Sequence, residues 1–248
     1  LNEQDLKTMS EAVEVLRQFK GFSYFTEMSD IINRLEDHVA SARMKTTPVI
    51  DFEKNESLKG LDYLDTIYHA IVNEHPIQLK YRSFKARSAN SFIFYPYLLK
   101  EYRNRWFVYG VRGNGRILQN LALDRIQSLE VLPQEHYIKN TFFDPNTFFD
   151  DLVGVTKNTG SVAEKVGFKV AAAEAPYIIT KPIHRSQQVV ERLADGSVIL
   201  EIEVVINHEL ERVFFGYAEG IQVLYPKTLV ELMGRKLKKA AEQYTHSK

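Results

Sequence analysis

The residues of this chain best suited to chemistry are cations set beside aromatic rings. In the run Arg103-Asn104-Arg105-Trp106-Phe107-Val108-Tyr109-Gly110, alternation at a period of two places Arg103, Arg105, Phe107 and Tyr109 on one strand face, and Trp106, Val108 and Gly110 on the other. A guanidinium presents a planar fork of N–H donors to phosphate or carboxylate, and it stacks on flat rings as exposed Tyr and Phe also do. Lys80 and Tyr95, in the neighbouring strands, extend the same basic and aromatic set. The chemistry of such a set is the recognition of an anion, above all a nucleotide or a single strand of nucleic acid.

Bond-making chemistry finds no comparable pattern. The seven histidines have no metal-ligand spacing, and the absence of cysteine excludes thiolate zinc sites, disulfides and cysteine nucleophiles. Gly110, Gly113 and Gly115 lie inside a hairpin instead of between a strand and a helix, so they form no dinucleotide loop. Neither GxxxxGK[ST] nor Gly-x-Ser-x-Gly occurs. No catalytic residue, metal or cofactor is expected, and the chain does not read as an enzyme; a catalytic set dispersed along the sequence is the third-ranked reading.

Charge is distributed to match. Lys plus Arg balance Asp plus Glu at 32 each over the whole chain, yet residues 76–126 hold ten positive and two negative side chains, while residues 1–66 hold eight and thirteen. A basic stretch of this density fits a patch that meets nucleic acid, a nucleotide or an acidic protein segment. Its bland counterpart is a solvated surface whose counter-charges come from elsewhere in the fold.

The elements that position these residues follow from periodicity. Leu6, Met9, Val13 and Leu16, then Ile31, Ile32, Leu35 and Val39, keep helical spacing and predict two N-terminal helices. A linker over 44–60 precedes a third helix that carries Leu61, Leu64, Tyr68 and Ile71 and ends before Pro76. From Ile77 the period becomes two, with strands over 77–81, 92–99, the two arms of the Gly113-Asn114-Gly115 hairpin, and 128–132. Five short strands suffice to curl into a small barrel. Residues 133–160 read as a connector pinned to the core by Phe side chains, with the domain boundary at 158–161. Beyond it the order strand, helix, strand, strand, helix, strand is ferredoxin-like, and a final amphipathic helix over 228–244 puts Leu229, Leu232, Met233 and Leu237 on one face. The expected class is α+β: N-terminal helices over 1–60, a barrel with connector over 61–160, and a ferredoxin-like domain over 161–248. No run is apolar enough to span a membrane, and a cytoplasmic protein is the default.

An ordered set of motifs carries a family resemblance: Ile77-Gln78-Leu79-Lys80-Tyr81, then Tyr95-Pro96-Tyr97-Leu98-Leu99, then Arg105-Trp106-Phe107-Val108, then Leu123-Asp124-Arg125-Ile126. Together they resemble a WYL domain, and the residues beyond resemble the WCX extension that accompanies it. The resemblance implies an SH3-type, Sm-like barrel whose ligand surface includes Tyr81, Arg105 and Arg125. Relatives often read Arg-x-Phe-Arg-Leu-Asp-Arg-Ile where this chain has Gln119-Asn120-Leu121-Ala122-Leu123-Asp124-Arg125-Ile126, so Gln119 and Ala122 replace two arginines. It further implies the sensing and assembly part of a transcriptional regulator, a homodimer reaching operator DNA through a helix-turn-helix that precedes Leu1; a start at Leu1 suits a chain lacking that piece. The alternative is a protein-interaction or oligomerisation module whose patch contacts an acidic partner.

Overall fold

The computed structural model describes residues 30, 34, 59–113 and 117–245. Of the two N-terminal helices expected over 1–60, only Asp30 and Arg34 of the second are described, both helical; the rest lies outside those residues. The chain divides into two compact units, the first ending at Thr141 and the second beginning at Phe142. Each has its own antiparallel sheet and apolar core, so the architecture is α+β.

In the first unit a 3-10 turn (Leu61–Tyr63) leads into helix α1 (Leu64–Val72), which buries Leu64, Ile67 and Ala70 at the spacing of one helical stripe. Five strands follow: β1 (Ile77–Tyr81), β2 (Asn90–Tyr102), β3 (Arg105–Arg112), β4 (Leu118–Ala122) and β5 (Ile126–Val131). They form one sheet in the order β4-β3-β2-β1-β5, and a 3-10 turn, Leu123–Arg125, carries the chain from β4 to β5. Ile77 and Leu79 of β1, Phe94 of β2 and Val108 of β3 are fully buried beneath α1, and Trp106 packs partly buried against the same cluster. Strand β2 runs three residues past the expected Leu99, because the β2–β3 reversal is the two-residue turn Arg103-Asn104. Both turn residues have positive φ, 49° and 61°, which fits the twist of the flanking strands. Arg103 is therefore a turn residue, not a member of the strand face assigned to it.

The second unit runs β6 (Glu164–Val170), α2 (Ala175–Thr180), β7 (Gln188–Arg192), β8 (Val198–Val204), α3 (His208–Tyr217) and β9 (Ile221–Tyr225), then the long helix α4 (Lys227–Thr245). Its sheet order is β7-β8-β6-β9, all antiparallel. Val166, Phe168 and Val170 alternate into a core shared with Leu200, Ile202 and Phe214. Asn207 caps α3, accepting from the Leu210 N–H at 2.9 Å. Strand β7 is an edge: all five of its residues are exposed, including Val189 and Val190, and its register shifts between Val189 and Glu191.

Two expectations change. The segment from Phe142 onward belongs with the second unit, so the division falls well before 158–161. Its anchors are Leu152, Val153 and Val155, which are buried, while Phe142 is exposed and Phe148 meets Phe143 at a tilt and Phe149 edge-on, at 4.7 and 5.0 Å between ring centres. Asn207 donates to the Val153 and Thr156 carbonyls and so fixes the segment to the start of α3. In α4, Leu229 and Met233 are buried as expected, but Leu237 is 38% exposed, and every residue from Gly234 to Thr245 is solvent-facing.

Candidate functional site

The six candidate site residues do not form one constellation. Three converge around Asp124. Arg105, at the start of β3, places Nε 3.3 Å from Asp124 Oδ2, and Arg125, in the 3-10 turn, places Nε 3.8 Å from Oδ1 of the same carboxylate. Tyr81 ends β1 beside them, with its hydroxyl facing the Arg125 guanidinium. Burial raises the Tyr81 pKa above its ordinary value, outweighing the opposing pull of Arg125, so the phenol stays neutral at physiological pH.

Local structure explains the convergence. Tyr81 pairs with Ile126 while Lys80 pairs with Ser128, so β5 carries one extra residue, Gln127, at this point. The bulge follows directly on the turn that holds Asp124 and Arg125, and the Arg82 N–H bonds the Arg125 carbonyl at 3.1 Å. A cleft of about 290 Å³ opens there, lined by Arg82, Ser83 and Phe84 on one side and by residues 124–127 on the other. Phe84 is 73% exposed, with the Arg125 guanidinium 4.5 Å from the centre of its ring. An aromatic left open to water next to a cation provides a stacking platform for a flat ligand.

Asp124 Oδ1 and Arg125 Nε are both buried and lack a hydrogen-bond partner. Charge-assisted pairs normally close to about 2.7–2.9 Å, so both arginines approach Asp124 without completing that geometry.

The other three residues stand apart. Lys80 is exposed and alternates with Leu79 and Tyr81, so it projects from the opposite face of β1. Arg103 lies in the β2–β3 turn, its guanidinium 5.5 Å from the Tyr102 ring centre. Tyr95 joins a cluster of tyrosines, with its ring 6.1 Å from that of Tyr137, which in turn meets Tyr97 edge-on at 6.1 Å. The Tyr97 hydroxyl donates to the Ile138 carbonyl at 2.9 Å and the Tyr137 hydroxyl donates to the Pro96 carbonyl, a reciprocal clasp that holds the chain after β5 onto β2. Burial is the main cause that pushes the Tyr97 phenol up to about 12, and it raises Tyr137 as well. A raised folded-state pKa means stability is complete below the ordinary value of 10.0 and is lost as pH climbs through about 12. The clasp should therefore release between these pH values, read as tyrosinate absorbance rising together with hydrogen exchange over 137–138; release already complete at pH 10 would contradict it.

Phe84 is the residue that type and spacing missed. Its signal was present: an aromatic within the otherwise polar, basic loop Arg82-Ser83-Phe84-Lys85-Ala86-Arg87. The arginine positions replaced in this chain are also located. Ala122 is buried opposite Phe107, and Gln119 pairs with Gly110 on β4. Among the described residues no group of acidic or histidine side chains is arranged to hold a metal, and no helix is long and apolar enough to cross a membrane.

A profile of the WYL domain matches residues 62–131, and one of the WCX domain matches residues 163–241. The chain thus carries a WYL domain followed by a WCX domain. No curated protein matches the chain. Among solved structures it is similar to proteasome accessory factor B/C (PafBC) of Arthrobacter aurescens, with 16% identity and a TM-score of 0.30 over 77% of this chain and 28% of that one. It is also similar to a CRISPR Cas-related protein, with 11% identity and a TM-score of 0.46 over 75% of this chain and 52% of that one. The chain thus spans little more than a quarter of the first and about half of the second.

Proposed function

We propose that this chain is the effector-sensing and oligomerisation part of a DNA-binding transcriptional regulator, and that its WYL domain binds a nucleotide or a single-stranded nucleic acid. The observation that carries the reading is the cleft where Arg82, Arg125 and Asp124 meet the exposed Phe84 ring, with Arg105 reaching its wall through Asp124 and Tyr81 beside Arg125. Two guanidinium groups and a stacking surface are what a base-bearing phosphate needs. Lys80 and Arg103 contribute charge to the field and not to the cleft, and Tyr95 contributes to neither. The sheet order β4-β3-β2-β1-β5, with a 3-10 turn before the last strand, supports reading the first unit as an SH3-type, Sm-like barrel; the order β7-β8-β6-β9 supports a ferredoxin-like second unit. The protein is not an enzyme on this reading, works in the cytoplasm, and meets operator DNA through a helix-turn-helix elsewhere in the full regulator.

Titration of fluorescent single-stranded oligonucleotides and cyclic nucleotides tests it. Wild-type affinity should fall as salt rises, because phosphate contacts release counterions. Arg105→Ala combined with Arg125→Ala should weaken binding by roughly a hundredfold, at about 1.5 kcal/mol for each lost charge-assisted contact. Binding that ignores salt, or that survives in the double variant, excludes this cleft.

The assembly is a homodimer built through the second unit. Support comes from α4, where Leu237 and Tyr244 continue the stripe of Met233 into solvent at helical spacing. The same exposed stripe favours the alternative reading of a protein-interaction module without a nucleic-acid ligand. Sedimentation of the wild type and of Leu237→Glu with Tyr244→Glu separates them. A dimer converted to monomer by the substitutions supports self-association; a wild type that is monomeric at tens of micromolar removes it.

A further inference from the structure

We infer that Asp124 is an internal stand-in for the ligand's phosphate: binding transfers Arg105 and Arg125 from the Asp124 carboxylate to the ligand. The inference rests on the reading of the cleft given above and concerns how that site is regulated.

Four observations lead there. Asp124 is one of only two acidic residues among positions 76–126, so in a strongly basic stretch it sits where two arginines from different elements meet. Without a shared anion two convergent guanidinium groups repel, and a carboxylate offers two oxygens to two cations as a phosphate does. The contacts are nevertheless incomplete. At 3.3 and 3.8 Å they exceed charge-assisted hydrogen-bond length, and Asp124 Oδ1 and Arg125 Nε stay buried without a hydrogen bond. A carboxylate built only to tie β3 to the turn would close that geometry; one held slightly off it is easier to displace. Finally, Asp124 and Arg125 line the cleft itself, so an incoming anion reaches the pair directly.

Displacement makes Asp124 a competitor at fixed, high local concentration. It sets a threshold that weak anions such as free inorganic phosphate do not cross, while a ligand that also stacks on Phe84 does. When the arginines change partner, the link between the start of β3 and the turn preceding β5 is exchanged for one through the ligand, which couples occupancy to the position of β3 relative to that turn.

The test compares wild type, Asp124→Asn and Arg105→Ala with Arg125→Ala for a fluorescent single-stranded oligonucleotide across a salt series, with thermal melting of each variant as a check on folding. Asp124→Asn keeps the shape and removes the competing charge. It should bind about tenfold more tightly than wild type, with a dependence of log affinity on log salt steeper by about one. Asp124→Ser serves as a second neutral replacement in case asparagine does not fold. Equal or weaker binding by the folded neutral variants, while the double arginine variant loses binding, would overturn the inference and leave the ligand site standing. If neither wild type nor neutral variants bind, both the inference and the ligand reading fall. Unfolding of both neutral variants would mean that the carboxylate is an indispensable tie no ligand can exchange, and would overturn the inference too.

Discussion

Phe94→Ala should destabilise the first unit by about 4 kcal/mol, enough to lower its melting temperature by roughly 20 °C. Phe94 is fully buried beneath α1, in one cluster with Leu64, Ile67, Ile77, Leu79 and Val108. Its ring also meets Phe92 edge-on, with centroids 6.4 Å apart, a contact that adds to the burial of the side chain. Alanine leaves a cavity at the centre of the sheet that α1 cannot fill without shifting, so both the transfer and the cavity costs apply. Calorimetry of the variant checks it. A loss below 1 kcal/mol would mean that the cluster collapses freely around the gap and that Phe94 does not organise the unit.

The second large effect is expected at Gly110. An added Cβ would lie 2.1 Å from the Tyr95 carbonyl oxygen and 2.6 and 2.8 Å from two Phe94 ring atoms, so Gly110→Ala forces β2 and β3 apart. Overpacking against backbone is not relieved by a rotamer change, and the cost should be about 3 kcal/mol. Gly113→Ala is the informative contrast. Nothing lies within 4 Å of its Cβ position, and only the positive φ of 60° is unfavourable, so it should cost about 1 kcal/mol. Because part of the Gly110 collision is with Phe94, combining Phe94→Ala with Gly110→Ala should cost less than the two effects added, while the carbonyl contact keeps the remainder. Strict additivity would show that the ring is not what Gly110 makes room for. Gly110→Ala should also weaken ligand binding, since the same strand carries Arg105 to Asp124.

Much of this arrangement was legible in the chain. The alternation of Ile77, Leu79 and Tyr81 marked β1, and the glycine at 113, whose φ is 60°, marked the end of β3, because in both cases the cause is local: side-chain period in one, backbone handedness in the other. The order of strands and helices after residue 161 was readable for the same reason. What the sequence concealed depends on partners far away in it. Tyr95 has the composition of a ligand residue, yet its ring is engaged by Tyr137, 42 positions later, in a clasp no spacing rule reveals. Arg103 alternates with Arg105 on paper and leaves the strand face because the turn falls on it. That residues 142–160 pack with the second unit was not legible, because Leu152, Val153 and Val155 look like any apolar residues of a connector, and only the partner that buries them identifies the unit to which they belong. The pairing of both arginines with one aspartate was invisible as well, since Arg105 and Asp124 are separated by a hairpin whose register had to be known first.

Strand β7 offers a last consequence. A sheet that, among the described residues, ends in an edge strand with Val189 and Val190 exposed presents the template on which unrelated chains polymerise. The register slip between Val189 and Glu191 interrupts that edge within one residue, and the charges of Glu191 and Arg192 follow at once. The interruption leaves an incoming strand no continuous length along which to zip. Resistance to fibre growth at this edge is thus supplied by a single misaligned position, and it costs the domain little, since the residues involved contribute almost nothing to its core.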